Sequence, residues 1–125
     1  MNSTPVLDVN VLEQFQARLG EDGADIVAEL IVAFLEDTPK LLKELRAYLA
    51  QGNTDGFRRS AHTLKGNSAT FGASGLSLLC QELEAMGRAG TLQGAAAKMA
   101  QVEAEFGRVK TAMVEFCPSI SSCVA

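Results

Sequence analysis

Apolar residues recur in steps of three and four along nearly the whole of this chain, and the alternating or β-branched runs that mark strands are missing. That period predicts an all-α fold. A short first helix runs from about Asp8 to Leu19, with Leu12, Phe15 and Leu19 on one stripe. A long second helix, about Ala24 to Gln51, carries Val27, Leu30, Ile31, Phe34, Leu41 and Leu45, and Thr38-Pro39 within it predicts a kink or local break, since proline removes a hydrogen bond and clashes with the preceding turn. A third helix, about Asp55 to Phe71, buries Phe57, Ala61, Leu64, Ser68 and Phe71. A fourth, about Ser74 to Met86, buries Leu76, Leu79, Cys80, Leu83 and Met86, and ends at a Gly87-Arg88-Ala89-Gly90 turn. The last starts at a Thr91 cap and runs to about Phe116, with Ala96, Met99, Val102, Phe106 and Val109 on its stripe. Four such stripes joined by short turns predict an antiparallel four-helix bundle, with the extra short N-terminal helix capping one end.

The chain has 125 residues, 47% hydrophobic and 21% charged, enough for one domain with a single core. That domain is expected over residues 1–117, followed by a flexible tail at 118–125 where Pro118-Ser119-Ile120-Ser121-Ser122 reads as frayed. A net charge of −4 argues against nucleic acid as a partner, because domains that bind it carry a basic excess or stripe. The longest apolar runs stop well short of the roughly 20 residues that span a bilayer, and no secretory leader precedes them, so no membrane partner is expected and the cytoplasm is the expected compartment. Cys80, Cys117 and Cys123 include no Cys-x-x-Cys pair. Neither a disulfide framework nor a metal site is therefore indicated, and Cys80 reads as a small core hydrophobe.

His62 is the sole histidine, and histidine is the side chain whose ordinary pKa, roughly 6.5, leaves a nucleophilic imidazole available near neutrality. At about 100° per residue it lies roughly 150° from the centre of the buried stripe of its helix, which turns it to solvent. Arg58, Arg59, Lys65, Gly66 and Ala69 share that sector. Gly66 is the informative member: glycine in an exposed helix interior costs about 1 kcal/mol relative to alanine. A surface that another molecule must approach closely explains the cost.

A hairpin turning near Gly72 brings Glu84 level with His62 and on the facing flank. A carboxylate accepting from one ring nitrogen fixes the tautomer and leaves the other nitrogen basic, as an activated nucleophile requires. Spacing alone equally allows Glu84 to pair with Arg88, four residues later.

The run Ala61-His62-Thr63-Leu64-Lys65-Gly66-Asn67-Ser68-Ala69, with Phe71-Gly72-Ala73, Leu79-Cys80-Gln81-Glu82-Leu83-Glu84 and Gly87-Arg88, resembles the signature of histidine-containing phosphotransfer (HPt) domains of two-component phosphorelays. The helix order agrees over nearly the whole chain. The resemblance implies a phosphorelay intermediate: His62 accepts a phosphoryl group on Nε2, Lys65 and Gly66 form the phosphate-side docking surface, and the bundle has no kinase activity of its own. Glu84 stands where many relatives carry glutamine and the phosphotransfer domains of chemotaxis kinases carry glutamate, and Asn67 departs from the usual small Ser or Ala. Both differences bear on rate or partner choice rather than on the phosphoacceptor.

The implied partners are response-regulator receiver domains and a sensor or hybrid histidine kinase. The chain needs no cofactor of its own, and Mg²⁺ is expected on the partner receiver domain. Lys65 would offset the phosphoryl charge, with Arg58, Arg59 and Arg88 attracting an acidic receiver face. Relatives of this kind are commonly monomeric, and a monomer is expected here. Independent catalysis is disfavoured by the missing Gly-rich phosphate loop, metal-ligand cluster and second histidine. A non-phosphorylated helical adaptor would show the same stripes, and the bundle could equally be the substrate domain of a larger kinase; Met1 and the tail favour a free-standing protein.

Overall fold

Short polar side chains begin two of the helices. Asp8 accepts from the Asn10 N–H at 3.1 Å ahead of α1 (Val9–Arg18), and Asn53 accepts from the Gly56 N–H at 2.9 Å ahead of α3 (Thr54–Thr70). Each satisfies a donor that the first helical turn leaves unpaired. The computed structural model describes residues 5–124; residues 1–4 of the expected domain and residue 125 of the expected tail lie outside them. Among the described residues the remaining α-helices are α2 (Gly23–Gln51), α4 (Ser74–Ala89) and α5 (Ala95–Phe116), with 3-10 turns at Gly20–Asp22 and Pro118–Ser122.

Helix α2 packs on α3, α3 on α4, α4 on α5 and α5 back on α2, which closes the ring of an antiparallel four-helix bundle; α1 lies against α2. Phe57, Leu64, Leu76, Leu83, Met99 and Val109 are all fully buried between them. Each such side chain contributes about 1.5–3 kcal/mol by leaving water. Phe34 links the two sides of the bundle, its ring centroid 5.2 Å from that of Phe71 and 6.2 Å from that of Phe106. No helix among the described residues is long and apolar enough to cross a membrane.

Several expectations need correction. Helix α2 runs through Pro39 without a break, and the preceding Thr38, fully buried, donates its hydroxyl to the Phe34 carbonyl at 2.7 Å. Leu30 and Leu19, expected on buried stripes, are 39% and 38% exposed, and Ala96 is also exposed. In α2 the buried face turns instead through Leu35 and Leu42. Helix α4 continues three residues past Met86, so Gly87 and Arg88 are helical rather than part of a turn. It stops at Gly90, whose φ of 76° is open to glycine, and the Thr91 N–H bonds back to the Met86 carbonyl at 3.2 Å. Thr91 thus closes α4 instead of capping α5, which starts four residues later at Ala95. The segment read as a frayed tail forms the turn Pro118–Ser122 and sends Ile120, 3% exposed, into the core.

Gly87 sets the distance between α3 and α4. A Cβ there would sit 2.7 Å from Arg58 Cβ and 2.9 Å from its Cα and backbone nitrogen, whereas a Cβ at Gly66 would meet nothing within 4 Å. Gly87→Ala is therefore expected to destabilise by about 1–3 kcal/mol through overpacking. Gly66→Ala is expected to stabilise by up to about 1 kcal/mol through helix propensity. Urea unfolding of the two variants beside the parent checks both signs.

Candidate functional site

Helices α3 and α4 are joined by Phe71-Gly72-Ala73, and the turn is held by Ala73 N–H donating to the Ser68 carbonyl at 2.9 Å. So short a connection makes the two helices antiparallel neighbours, and the Arg58–Gly87 contact brings them close together. His62 stands on the outer face of α3 with its side chain 64% exposed. Glu84 reaches it from α4: His62 Nδ1 lies 2.8 Å from Glu84 Oε2.

Glu84 has further partners. Lys65 Nζ sits 2.6 Å from Oε1, and an Arg88 guanidinium nitrogen sits 2.9 Å from Oε2. The two pairings that spacing left open, Glu84 with His62 and Glu84 with Arg88, therefore coexist. The carboxylate side chain is only 4% exposed, an environment that by itself would favour its neutral form. The Lys65 hydrogen bond outweighs that burial, and with help from His62 it holds the Glu84 carboxyl below its ordinary range. An ionised carboxylate only accepts hydrogen bonds, so Nδ1 carries a proton, and in the uncharged ring Nε2 is the nitrogen with the lone pair. The arrangement favours one tautomer of the uncharged imidazole, with Nε2 as its nucleophilic nitrogen, on an exposed side chain.

Lys65 is positioned at both ends, since Ser77 of α4 donates its hydroxyl to the Lys65 carbonyl at 3.0 Å. Gly66 and Ala69 are exposed on the same helix as His62 and leave a low surface beside it. Arg58 and Arg59 lie one turn earlier, but both guanidinium groups are engaged by Asp55, Arg58 at 3.0 Å. Their positive field holds the Asp55 carboxyl below its ordinary range, the Arg58 hydrogen bond first and the Arg59 charge second. Asp55 stands three and four residues before the arginines, a spacing legible in sequence and overlooked by a reading centred on the histidine. Ser77 offered no comparable signal, because its role depends on the register of two helices.

The surface depressions lined by Val6 and Arg108 and by Ala28 and Ile120 do not include His62. A raised imidazole on an open helix face suits a protein partner better than an enclosed small molecule. Among the described residues no group of three or more His, Cys, Asp or Glu side chains is placed to hold a metal ion.

The Glu84 interactions carry a stability consequence of definite sign. A carboxyl held below its ordinary range contributes stability that is present above that range and lost as pH falls through its lowered value. The stability advantage of the parent over Glu84→Gln is expected to be full at neutral pH and to shrink progressively in acid, as read from urea midpoints across a pH series.

Residues 29–112 match the Hpt domain family. Histidine-containing phosphotransfer protein 2 of Arabidopsis thaliana is 32% identical over an alignment of 98 residues that covers 75% of this chain; the chain spans 63% of that relative's length. The crystal structure of histidine-containing phosphotransfer protein B from Pseudomonas aeruginosa is similar at a TM-score of 0.81 and 34% identity, covering 90% of this chain and 95% of that one. The HPT domain of a sensor hybrid histidine kinase from Shewanella shares the fold at a TM-score of 0.73 and 20% identity, covering 93% of this chain and 97% of that one. The matched span takes in α3, α4 and most of α2 and α5, including the histidine and the carboxylate that meets it. By that match, the chain belongs to the Hpt domain family.

Proposed function

We propose that this protein is a phosphorelay intermediate whose His62 accepts a phosphoryl group from a receiver-domain phosphoaspartate, or from a histidine kinase, and passes it to another receiver. The observation that carries this reading is the exposed imidazole bonded through Nδ1 to a buried carboxylate. Family membership supports the carrier role, since Hpt domains relay phosphoryl groups between histidine kinases and receivers without kinase activity of their own. The partners on this reading are receiver domains and a sensor or hybrid kinase. The protein acts in the cytoplasm as a monomer.

The step follows from the tautomer. The Nε2 lone pair attacks phosphorus in line, the phosphorus–oxygen bond to the receiver aspartate breaks, and the aspartate leaves as a carboxylate. A Mg²⁺ ion held by the receiver would steady the phosphoryl oxygens there. No proton leaves His62: Nδ1–H stays bonded to Glu84, and the positive charge that develops on the phosphorylated ring is offset by the carboxylate 2.8 Å away. Phosphoryl transfer depends mainly on positioning and electrostatics, so a held ring, a nearby lysine and an unobstructed approach suffice on this side. Lys65 is close enough to the ring's carboxylate to turn toward the transferred group. Gly66 and Ala69 keep the approach low, and Arg58, Arg59 and Arg88 attract an acidic receiver face. The return transfer to a second receiver is the same step reversed.

His62→Gln is expected to abolish phosphoryl acceptance while leaving the helical circular dichroism and unfolding midpoint close to those of the parent. The check is radiolabel transfer from phosphorylated receivers, with any label tested for the acid lability and alkali stability of phosphohistidine. Undiminished transfer to the His62→Gln protein would end this reading. Gly66→Trp is expected to slow transfer from a receiver at least ten-fold, through blocked approach, in a single-turnover time course.

A further inference from the structure

The His62 ring and the Arg88 guanidinium share one acceptor atom. His62 Nδ1 and an Arg88 nitrogen lie 2.8 and 2.9 Å from the same oxygen, Glu84 Oε2, while Lys65 occupies Oε1 at 2.6 Å. A cation on an acceptor oxygen lowers the negative potential felt by a second donor on that oxygen. Arg88 therefore weakens the bond that orients the nucleophile.

The cluster is asymmetric in a way that singles out the arginine. The Lys65 side chain is 30% exposed, and its backbone is tied to α4 through Ser77. The Arg88 side chain is 66% exposed, and an exposed ion pair is easily redirected to a competing anion. The other charged groups nearby are already engaged: Arg58 is bonded to Asp55, and Glu82 of α4 is bonded to Lys98 of α5 at 3.2 Å. Arg88 is thus the cluster member an acidic partner surface meets in the open.

We propose that Arg88 is a positioning residue that acts through Glu84: it competes with His62 for Oε2, and a docking partner whose acidic face draws Arg88 outward leaves that oxygen to the imidazole. Contact with the partner then tightens the hold on Nδ1–H at the moment Nε2 is needed. The transfer step itself is unchanged, and its relevance rests on His62 being the phosphoacceptor.

The test compares the parent with Arg88→Met, which keeps the side-chain length without the charge, and with Arg88→Lys. His62 is the only histidine, so long-range proton–nitrogen NMR on ¹⁵N-labelled protein reports its ring without ambiguity. With the imidazole neutral, the Nδ1 signal is expected to move downfield, toward that of Nε2, in Arg88→Met as its N–H bond to Glu84 strengthens, and to stay near the parent value in Arg88→Lys. The second readout is single-turnover labelling by phosphoramidate, a small donor without a docking face. Its phosphorus–nitrogen bond breaks, ammonia leaves, and the new bond forms at His62 Nε2. Labelling is expected to be about two- to five-fold faster in Arg88→Met. Ring signals and labelling rate both equal to those of the parent would overturn the role of Arg88 while leaving the phosphoacceptor reading intact. A downfield Nδ1 shift in a protein that no donor labels would uphold the competition and remove the phosphoacceptor reading instead.

Discussion

The close packing of α3 on α4 is the constraint from which the rest of the site follows. Gly87 lies against the Arg58 backbone, and with no side chain between them the helices approach closely enough for short groups to bridge the gap. Glu84, one turn nearer the α3–α4 connection, then reaches His62 and Lys65, and Ser77 reaches the Lys65 carbonyl. The carboxylate oxygens of a glutamate lie four bonds from Cα, so Glu84 has little spare length to span a wider separation. The hydrophobic seam of Leu64, Leu76 and Leu83 supplies the cohesion that holds this register.

The electrostatics of the face are more balanced than a count of its cations implies. Arg58 and Arg59 are both committed to Asp55, and Lys65 and Arg88 to Glu84. Four cations and two carboxylates leave a modest positive excess around the imidazole, in a protein whose net charge is −4. Such a face can attract an acidic partner without holding it permanently, because each arginine exchanges one carboxylate for another.

Much of this was legible in the sequence because it depends on period. The helices, the outward turn of His62 and the register that sets Glu84 opposite it all follow from 3.6 residues per turn and a hairpin of known pivot. What was not legible depends on a second body or on a local exchange of partners. Gly87 looked like turn chemistry because glycine and arginine often end helices; only its contact with Arg58 makes it a packing residue. Thr91 had the chemistry of an N-cap, but its N–H was taken by the preceding helix. Pro39 signalled a break that the long helix absorbed, and Ile120 was hidden in a segment whose proline and serines read as tail.

The cysteines divide the protein chemically. Cys80 is fully buried in α4, and burial pushes its thiol up to about 12, so almost none of it is present as the reactive thiolate near neutrality. The exposed Cys123 lies instead by α2, beside Glu36 and Pro39, and Cys117 ends α5. Thiol-alkylating reagents would therefore meet cysteine sulfur on the α2–α5 side and no reactive thiol within α3 and α4. A spectroscopic label or surface tether attached through Cys123 would leave the face of α3 and α4 that carries His62 chemically untouched.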